Sequence, residues 1–193
     1  CELVEDHFFG TKKIKKGKIL NYGVSVEKVE EALKAIEYPG VSAIQIIYNM
    51  FRLKPAELFF KAASKNNVGI IVRVPLACGL LSGKYDKNTV FSKDDHRSFN
   101  REGKVFDKGE TFSGIPYETG LQAVEELKKI FPYNDLPKYA LRWILMDKSV
   151  SCVIPGASNV SQVEANSAAA DLPGLTQDQM NKVKDMYEKY EME

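Results

Sequence analysis

VSAIQIIYN, Val41 to Asn49, is apolar at nearly every position and is interrupted only by Gln45 before it ends in Tyr48-Asn49. A half-exposed strand alternates apolar and polar side chains, so a run this continuous is read as a parallel strand covered on both faces. The flanking sequence keeps the same βα rhythm. Upstream, ILNYGVSV (Ile19 to Val26) reads as a strand ending in a turn. Ser25 is placed to cap a helix from about Glu27 to Glu37, with Val29, Ala32, Leu33 and Ile36 on one stripe and Pro39-Gly40 as the stop. Downstream, Pro55 suits the first turn of a helix carrying Leu58, Phe59, Ala62 and Ala63 inward, which Asn66-Asn67 closes. Val68 to Val74 is then a third strand.

After Pro75 the rhythm breaks until about residue 115, through a segment rich in charge, Gly and Ser. A loop this long inside a compact domain is functional or disordered. Two helices follow, one through Leu121, Val124, Leu127 and Phe131, the other opening at Asp135 with Pro137 in its first turn and carrying Leu141, Ile144 and Leu145. VSCVIPGASN (Val150 to Asn159) is a fourth strand with a Gly-bearing turn. Asn159 with Gln162, and Thr176 with Gln179, are spaced to cap two further helices, the last running through Met180, Val183, Tyr187 and Tyr190. Four parallel strands with helices admit a small doubly wound sheet or part of an eight-stranded βα barrel. Periodicity alone does not choose between them.

Composition removes several classes of function. The chain has 193 residues, with 27 basic and 26 acidic side chains giving a net charge of +1, so no field steers nucleic acid or an anionic membrane. No apolar run approaches the roughly 20 residues that span a bilayer, and no signal-peptide layout is present, so the cytosol is the expected compartment. The sequence starts at Cys1 rather than Met, which points to something removed or lost upstream. Cys1, Cys78 and Cys152 are odd in number and lack a CxxC, which argues against a disulfide framework or a zinc site. Cys152 reads as a buried apolar residue. His7 and His96 belong to no ligand-spaced pair and read as solvated, and Asp94-Asp95 beside His96 and Arg97 reads as a loop charge cluster.

In either architecture ligands bind beyond the carboxyl ends of the strands. Four turns lie there: Gly23 to Val26, Gln45 with Tyr48-Asn49, Arg73 to Lys84, and Ile154 to Asn166. Gly156-Ala157-Ser158-Asn159 stands directly before a helix, where free N–H groups and the positive dipole end suit a phosphate; plain helix capping explains the same residues. GLLSGKY (Gly79 to Tyr85) is not a phosphate-binding P-loop. It has three residues where that motif needs four between Gly and Gly-Lys, and Tyr85 follows Lys84. No GxGxxG occurs, and no GxSxG.

Taken together, the turns resemble the aldo-keto reductases, particularly the branch that contains the potassium-channel beta subunits. The matching segments are KKGKILNYGVS, IQIIYNMF, VPLACGLLSGKYD and VIPGASNVSQVEAN, in the family's order and spacing from roughly Lys15 to Asp171. Residues 1–14 are unassigned. The resemblance implies an α/β fold in which residues 15–193 form the C-terminal half of a (β/α)8 TIM barrel. Its four parallel strands, with outer helices, would be the barrel's strands five to eight, and the long loop would run over 75–115. It implies NADP(H), with NAD(H) as the alternative, bound in an extended pose. Ser25 and Gln45 would meet the nicotinamide carboxamide, Pro75, Leu76, Ala77 and Cys78 would line the pyrophosphate region, and Lys84 would meet phosphate. The glycines around Lys84 would let the backbone approach the dinucleotide closely. Gly156, Ser158, Gln162 and Asn166 would hold the adenosine end, and Arg97 would point at the 2′-phosphate.

Some positions depart from the family. Val26 replaces an Asn or Arg, Ala165 replaces a Glu that reads the adenine amine, and Gln162 lacks a positive charge. Arg73 replaces an aromatic that stacks on the nicotinamide; a guanidinium can stack too, yet it adds charge beside a ring that becomes cationic on oxidation. The family's Tyr acid, with its Lys, Asp and His, belongs to strands two to four, so no catalytic residue and no metal ligand is assigned here. The implied protein reduces aldehydes or ketones by hydride transfer once its other half is present, and this chain alone would lack turnover. Its implied partners are a small carbonyl substrate and, at the open sheet edges, the missing N-terminal half or a second copy. The alternative from a different class is a non-catalytic half-barrel that binds a nucleotide or another chain.

Overall fold

A computed structural model describes residues 10–190 and 192. The sequence readings that fall on residues 1–9, Cys1 and His7 among them, lie outside the described residues. Four strands, β1 (Tyr22–Ser25), β2 (Val41–Ile47), β3 (Gly69–Arg73) and β4 (Val150–Val153), form one sheet in the order β1-β2-β3-β4. Every pair is parallel. The order follows the chain without the reversal that defines a doubly wound sheet, and it is consistent with a sector of a βα barrel wall.

The sheet has one dry face. Val24, Ile44, Ile46, Ile70 and Val72 alternate along their strands and are buried in the main core cluster. The other face carries Ser25, Gln45, Ile71 and Cys152 side by side in register, and these are half-buried or exposed. Two readings are corrected here. Val41 to Asn49 is not covered on both faces along its length, since Ala43 and Gln45 stay partly open. Cys152 is exposed rather than buried, because it lies on that open face of an edge strand. Among the described residues β1 and β4 each pair on one side only, and exposed apolar side chains flank both: Ile19 and Leu20 before β1, and Ile154, Val160 and Val163 after β4.

Residues 10–15 are helical, and the helix after β1, α1 (Val29–Ala35), is not capped by Ser25. The Glu31 carboxylate reaches back to accept from the backbone N–H groups of Glu27 (2.9 Å) and Lys28 (3.1 Å), which leaves the Ser25 hydroxyl for the sheet face. The next helix opens after Pro55 with a π turn, Ala56–Phe60, and continues as α2 (Lys61–Lys65). Its wider turn moves the inward phase by one residue. Phe59 and Phe60 are therefore buried, while Leu58, expected inward, is 52% exposed. A one-turn helix, His96–Phe99, lies in the long loop, and the longer helices are α3 (Tyr117–Ile130), α4 (Leu136–Leu145), α5 (Val160–Ala168) and α6 (Gln177–Lys189). Among them α5 buries no residue, whereas α4 seats Ala140, Leu141, Trp143 and Ile144.

The segment expected to be functional or disordered is ordered by its own side chains. Buried Asn100 donates to Thr111 Oγ1 (3.2 Å) and accepts from the N–H groups of Val105 (3.0 Å) and Phe106 (3.1 Å). Phe91 sits edge-on to Tyr85 and Tyr117 and against Phe112, with the Arg97 guanidinium 4.7 Å from its ring centre.

The phase shift in the π turn is testable by urea unfolding. Phe60→Ala should cost about 3–5 kcal/mol, and Leu58→Ala should cost less than about 1 kcal/mol; a regular helix with Leu58 inward requires the larger loss at Leu58.

Candidate functional site

The chain leaves β3 through an unusual turn. Val74, Ala77 and Cys78 hold positive φ angles of 50°, 47° and 54°, followed by Gly79 at 95° and Gly83 at 71°. Left-handed backbone costs a non-glycine residue roughly 1–2 kcal/mol, and Val, being β-branched, tolerates it least. The surroundings must therefore impose it. Asn49, fully buried at the end of β2, does so: its amide donates to the Val74 carbonyl (2.9 Å) and to Ser113 Oγ (2.7 Å), and its Oδ1 accepts from Phe51 N–H (2.9 Å). Ser113 and Phe112 are themselves at positive φ. One side chain thus pins two strained segments to one strand end.

Around this anchor the predicted residues fall into two groups. The first lies at the carboxyl rim of the open sheet face. Gln45 Nε2 donates to Ser25 Oγ across β1 and β2 (3.0 Å). Arg73, two residues beyond Ile71 on the same face, reaches over the rim, donating from Nη2 to the Val26 carbonyl (2.9 Å) and pairing through Nη1 with Glu110. Val26 turns its side chain into the core, so its backbone alone takes part, through that carbonyl and an N–H donated to the Gln45 carbonyl (2.9 Å). Glu27, Asp107 and Arg52 complete a cluster of charges. Burial together with the Asp107 and Glu110 carboxylates pushes the Glu27 carboxyl up, and burial pushes the Arg52 guanidinium down.

The second group lines a cavity of about 590 Å³ between the turn after β3, the start of α4 and the start of α5. Leu76, Lys84, Gly156, Gln162 and Asn166 all face it, drawn from segments far apart in the chain. Asn159 caps α5 by accepting from Gln162 N–H (2.9 Å), and the Gln162 side chain turns back to accept from Ser158 N–H (2.8 Å) and Oγ (3.1 Å). Asn166 donates to the Gly156 carbonyl (3.3 Å). A Cβ built on Gly156 meets nothing within 4 Å, so nothing inside the chain demands glycine there. Gly79 differs. A Cβ on it would collide with the Tyr85 hydroxyl and its φ is positive, so the turn and the Tyr85 ring demand glycine there, and Gly79 also lines the cavity.

Other predicted residues take different places. Pro75 and Ala77 are buried, so of the Pro75 to Cys78 run only Leu76 lines the cavity. The Cys78 thiol donates to the Glu110 carbonyl (2.9 Å), and burial pushes its pKa up. Arg97 is committed within the loop, to Asp95 through Nε and Nη2 and to the Tyr85 hydroxyl through Nη1 (2.6 Å), so it stands behind Tyr85. These bonds hold the Asp95 carboxyl down at about 2. Asp94-Asp95 is therefore partly an ion pair and not only a solvated cluster. Sequence reasoning missed Glu110, Asn49, and the cavity-lining Lys138 and Asn134. A polar residue closing an apolar strand was a signal for Asn49; none pointed to the others. Among the described residues no cluster of His, Cys, Asp or Glu could hold a metal, and no helix is long and apolar enough to cross a membrane.

A chain-ordered parallel sheet whose strand ends gather an amide–hydroxyl pair, an arginine and a lysine-bearing cavity is the arrangement of a βα enzyme scaffold. The aldo/keto reductase family model matches residues 8–188, and the chain belongs to that family. It is 27% identical over 161 residues to the aldo-keto reductase yakc [NADP(+)] of Schizosaccharomyces pombe, covering 82% of this chain and 45% of that protein. It is 28% identical over 169 residues to a probable voltage-gated potassium channel subunit beta of Arabidopsis thaliana, covering 82% and 48%. The solved glycerol dehydrogenase of Gluconobacter oxydans superposes with a TM-score of 0.71 at 27% identity, covering 93% of this chain and 52% of that one. The chain spans about half the length of the curated relatives it matches.

The two glycines give opposite expectations in thermal unfolding. Gly156→Ala should leave stability within about 0.5 kcal/mol, whereas Gly79→Ala, strained in φ and colliding with Tyr85, should lose more than about 1 kcal/mol.

Proposed function

We propose that this chain is the nucleotide-holding half of an NAD(P)H-dependent aldehyde or ketone reductase, with its four strands serving as strands five to eight of an eight-stranded barrel. The observation that carries this reading is the cavity that gathers Leu76, Lys84, Gly156, Gln162 and Asn166. Its volume suits part of a dinucleotide. Open space over Gly156 admits close backbone approach, the N-terminus of α5 favours negative charge, and Lys84 supplies a cation, whereas the Lys138 charge is already paired with Asp135 (2.9 Å). A bound nicotinamide would supply the hydride. The chain's own residues bind and orient: Ser25 and Gln45 would take the carboxamide, Arg73 would lie along the ring, the Leu76 turn and Lys84 would follow the phosphates, and Gly156, Ser158, Gln162 and Asn166 would hold the adenosine end. The printed NADP(+) of the fission-yeast relative inclines the reading toward NADP(H).

The proton donor would come from elsewhere. Tyr22, Tyr48, Tyr85, Tyr187 and Tyr190 all have pKa values pushed up, chiefly by burial, the opposite of what a tyrosine acid needs. The free edges of β1 and β4 supply a place for further strands, from a longer polypeptide or from a second copy. A binding module without catalysis is the second reading.

Titrating NADPH with the full chain should give a saturable change in nucleotide fluorescence. Lys84→Ala should weaken binding about tenfold, as expected for loss of a charge-assisted contact, and Gly156→Val should weaken it further by filling the approach. No binding at millimolar nucleotide would end the nucleotide reading. Aldehyde-dependent NADPH oxidation should be absent for the chain alone, and turnover would show that it carries its own acid. Light scattering should report association that rises with concentration; a strict monomer with both edges open contradicts the edge assignment.

A further inference from the structure

Arg73 is an unexpected residue at the rim, and Glu110 is what makes it tolerable. Its side chain is 13% exposed and that of Glu110 is 23% exposed, so the pair is sheltered from the screening that weakens surface ion pairs. One guanidinium nitrogen is fixed by Glu110 and another by the Val26 carbonyl, while the buried Nε has no partner among the described residues. Strand alternation puts Arg73 on the face that carries Ser25 and Gln45, level with Ile47 and one step beyond the row that holds Gln45 and Ile71. A planar group seated on the Ser25–Gln45 pair therefore has the guanidinium as its neighbour at the rim. The charges around it are Arg52 and Arg73 against Glu27, Asp107 and Glu110. Glu110 is the one paired directly with Arg73. Its backbone carbonyl is also held by the Cys78 thiol, which ties the loop to the turn after β3.

We propose that Glu110 is a positioning residue that offsets the charge of Arg73 beside the nicotinamide and so sets the preference between oxidised and reduced nucleotide. This rests on the nucleotide reading above. The oxidised ring is cationic and the reduced ring is neutral, so an unpaired Arg73 repels only the oxidised form. An unpaired Glu110 attracts only that form. The reduced form senses either change weakly.

The test is titration of the full chain, by calorimetry, with NADP+ and NADPH separately. Glu110→Gln should raise the ratio of Kd for NADP+ to Kd for NADPH by about tenfold, mostly through weaker NADP+ binding, as a nearby unit charge demands. Arg73→Gln should move the ratio the other way. The double variant should return it to within about twofold of the unmodified chain. The opposite signs separate charge from structure, since a merely loosened loop weakens both nucleotides alike; should Glu110→Gln fail to fold, the sign for Arg73→Gln decides. Equal losses for both nucleotides, or a ratio moving in the same direction in both single variants, overturn the proposal while leaving the nucleotide site intact. Absence of binding of either nucleotide by the unmodified chain overturns the site itself and this proposal with it.

Discussion

The site depends on the buried amide of Asn49. With no exposed surface, this side chain can be accommodated only if its polar atoms are matched, and it matches them with the Val74 carbonyl, Ser113 Oγ and the Phe51 N–H. Both partners on the donor side belong to backbone in left-handed conformations. Each such residue is unfavourable alone, and the amide's loss without replacement would leave buried polar groups unpaired. The turn after β3 and the loop that ends near residue 114 are thereby held against the same strand end. That proximity brings Glu110 to Arg73 and turns Leu76 and Lys84 toward the cavity.

The sheet explains why the site has two parts. One face is packed dry by alternating Val and Ile, which supplies the stable floor. The other face stays partly open and carries the polar pair Ser25–Gln45, whose hydrogen bond spans adjacent strands in register. The cavity lies beyond the strand ends, where two helices begin and cationic side chains collect. Binding groups on a rigid floor and a charged cavity at its rim suit an elongated anionic ligand better than a compact apolar one.

Much of the fold was legible from residue pattern. The βα rhythm, the helix stop at Asn66-Asn67, and the caps at Asn159 and Thr176 are local events, decided by period and by short-range hydrogen bonds, and the structure keeps them, while α1 ends at Ala35, ahead of Pro39-Gly40. Leu58 and Ser25 went differently for physical reasons that pattern does not carry. A single π turn rotated the first residue outward, and a glutamate six residues after Ser25 capped α1 in its place. Cys152 looked like core and is exposed because its strand lies at an edge of the sheet.

The sequence by itself determined the parallel α/β class and the strand ends as the place for a site, because those follow from period and spacing along one chain; the particular residues named there came from the family resemblance. Only the tertiary structure decided which of them meet. Arg97, already held by its near neighbour Asp95, also met Tyr85, and Arg73 gained Glu110, contacts that depend on the path of the long loop, which no local propensity specifies. Long-range pairing of charges and the packing of a ring against a backbone are settled when the chain closes on itself, where burial removes the water that would otherwise have satisfied them.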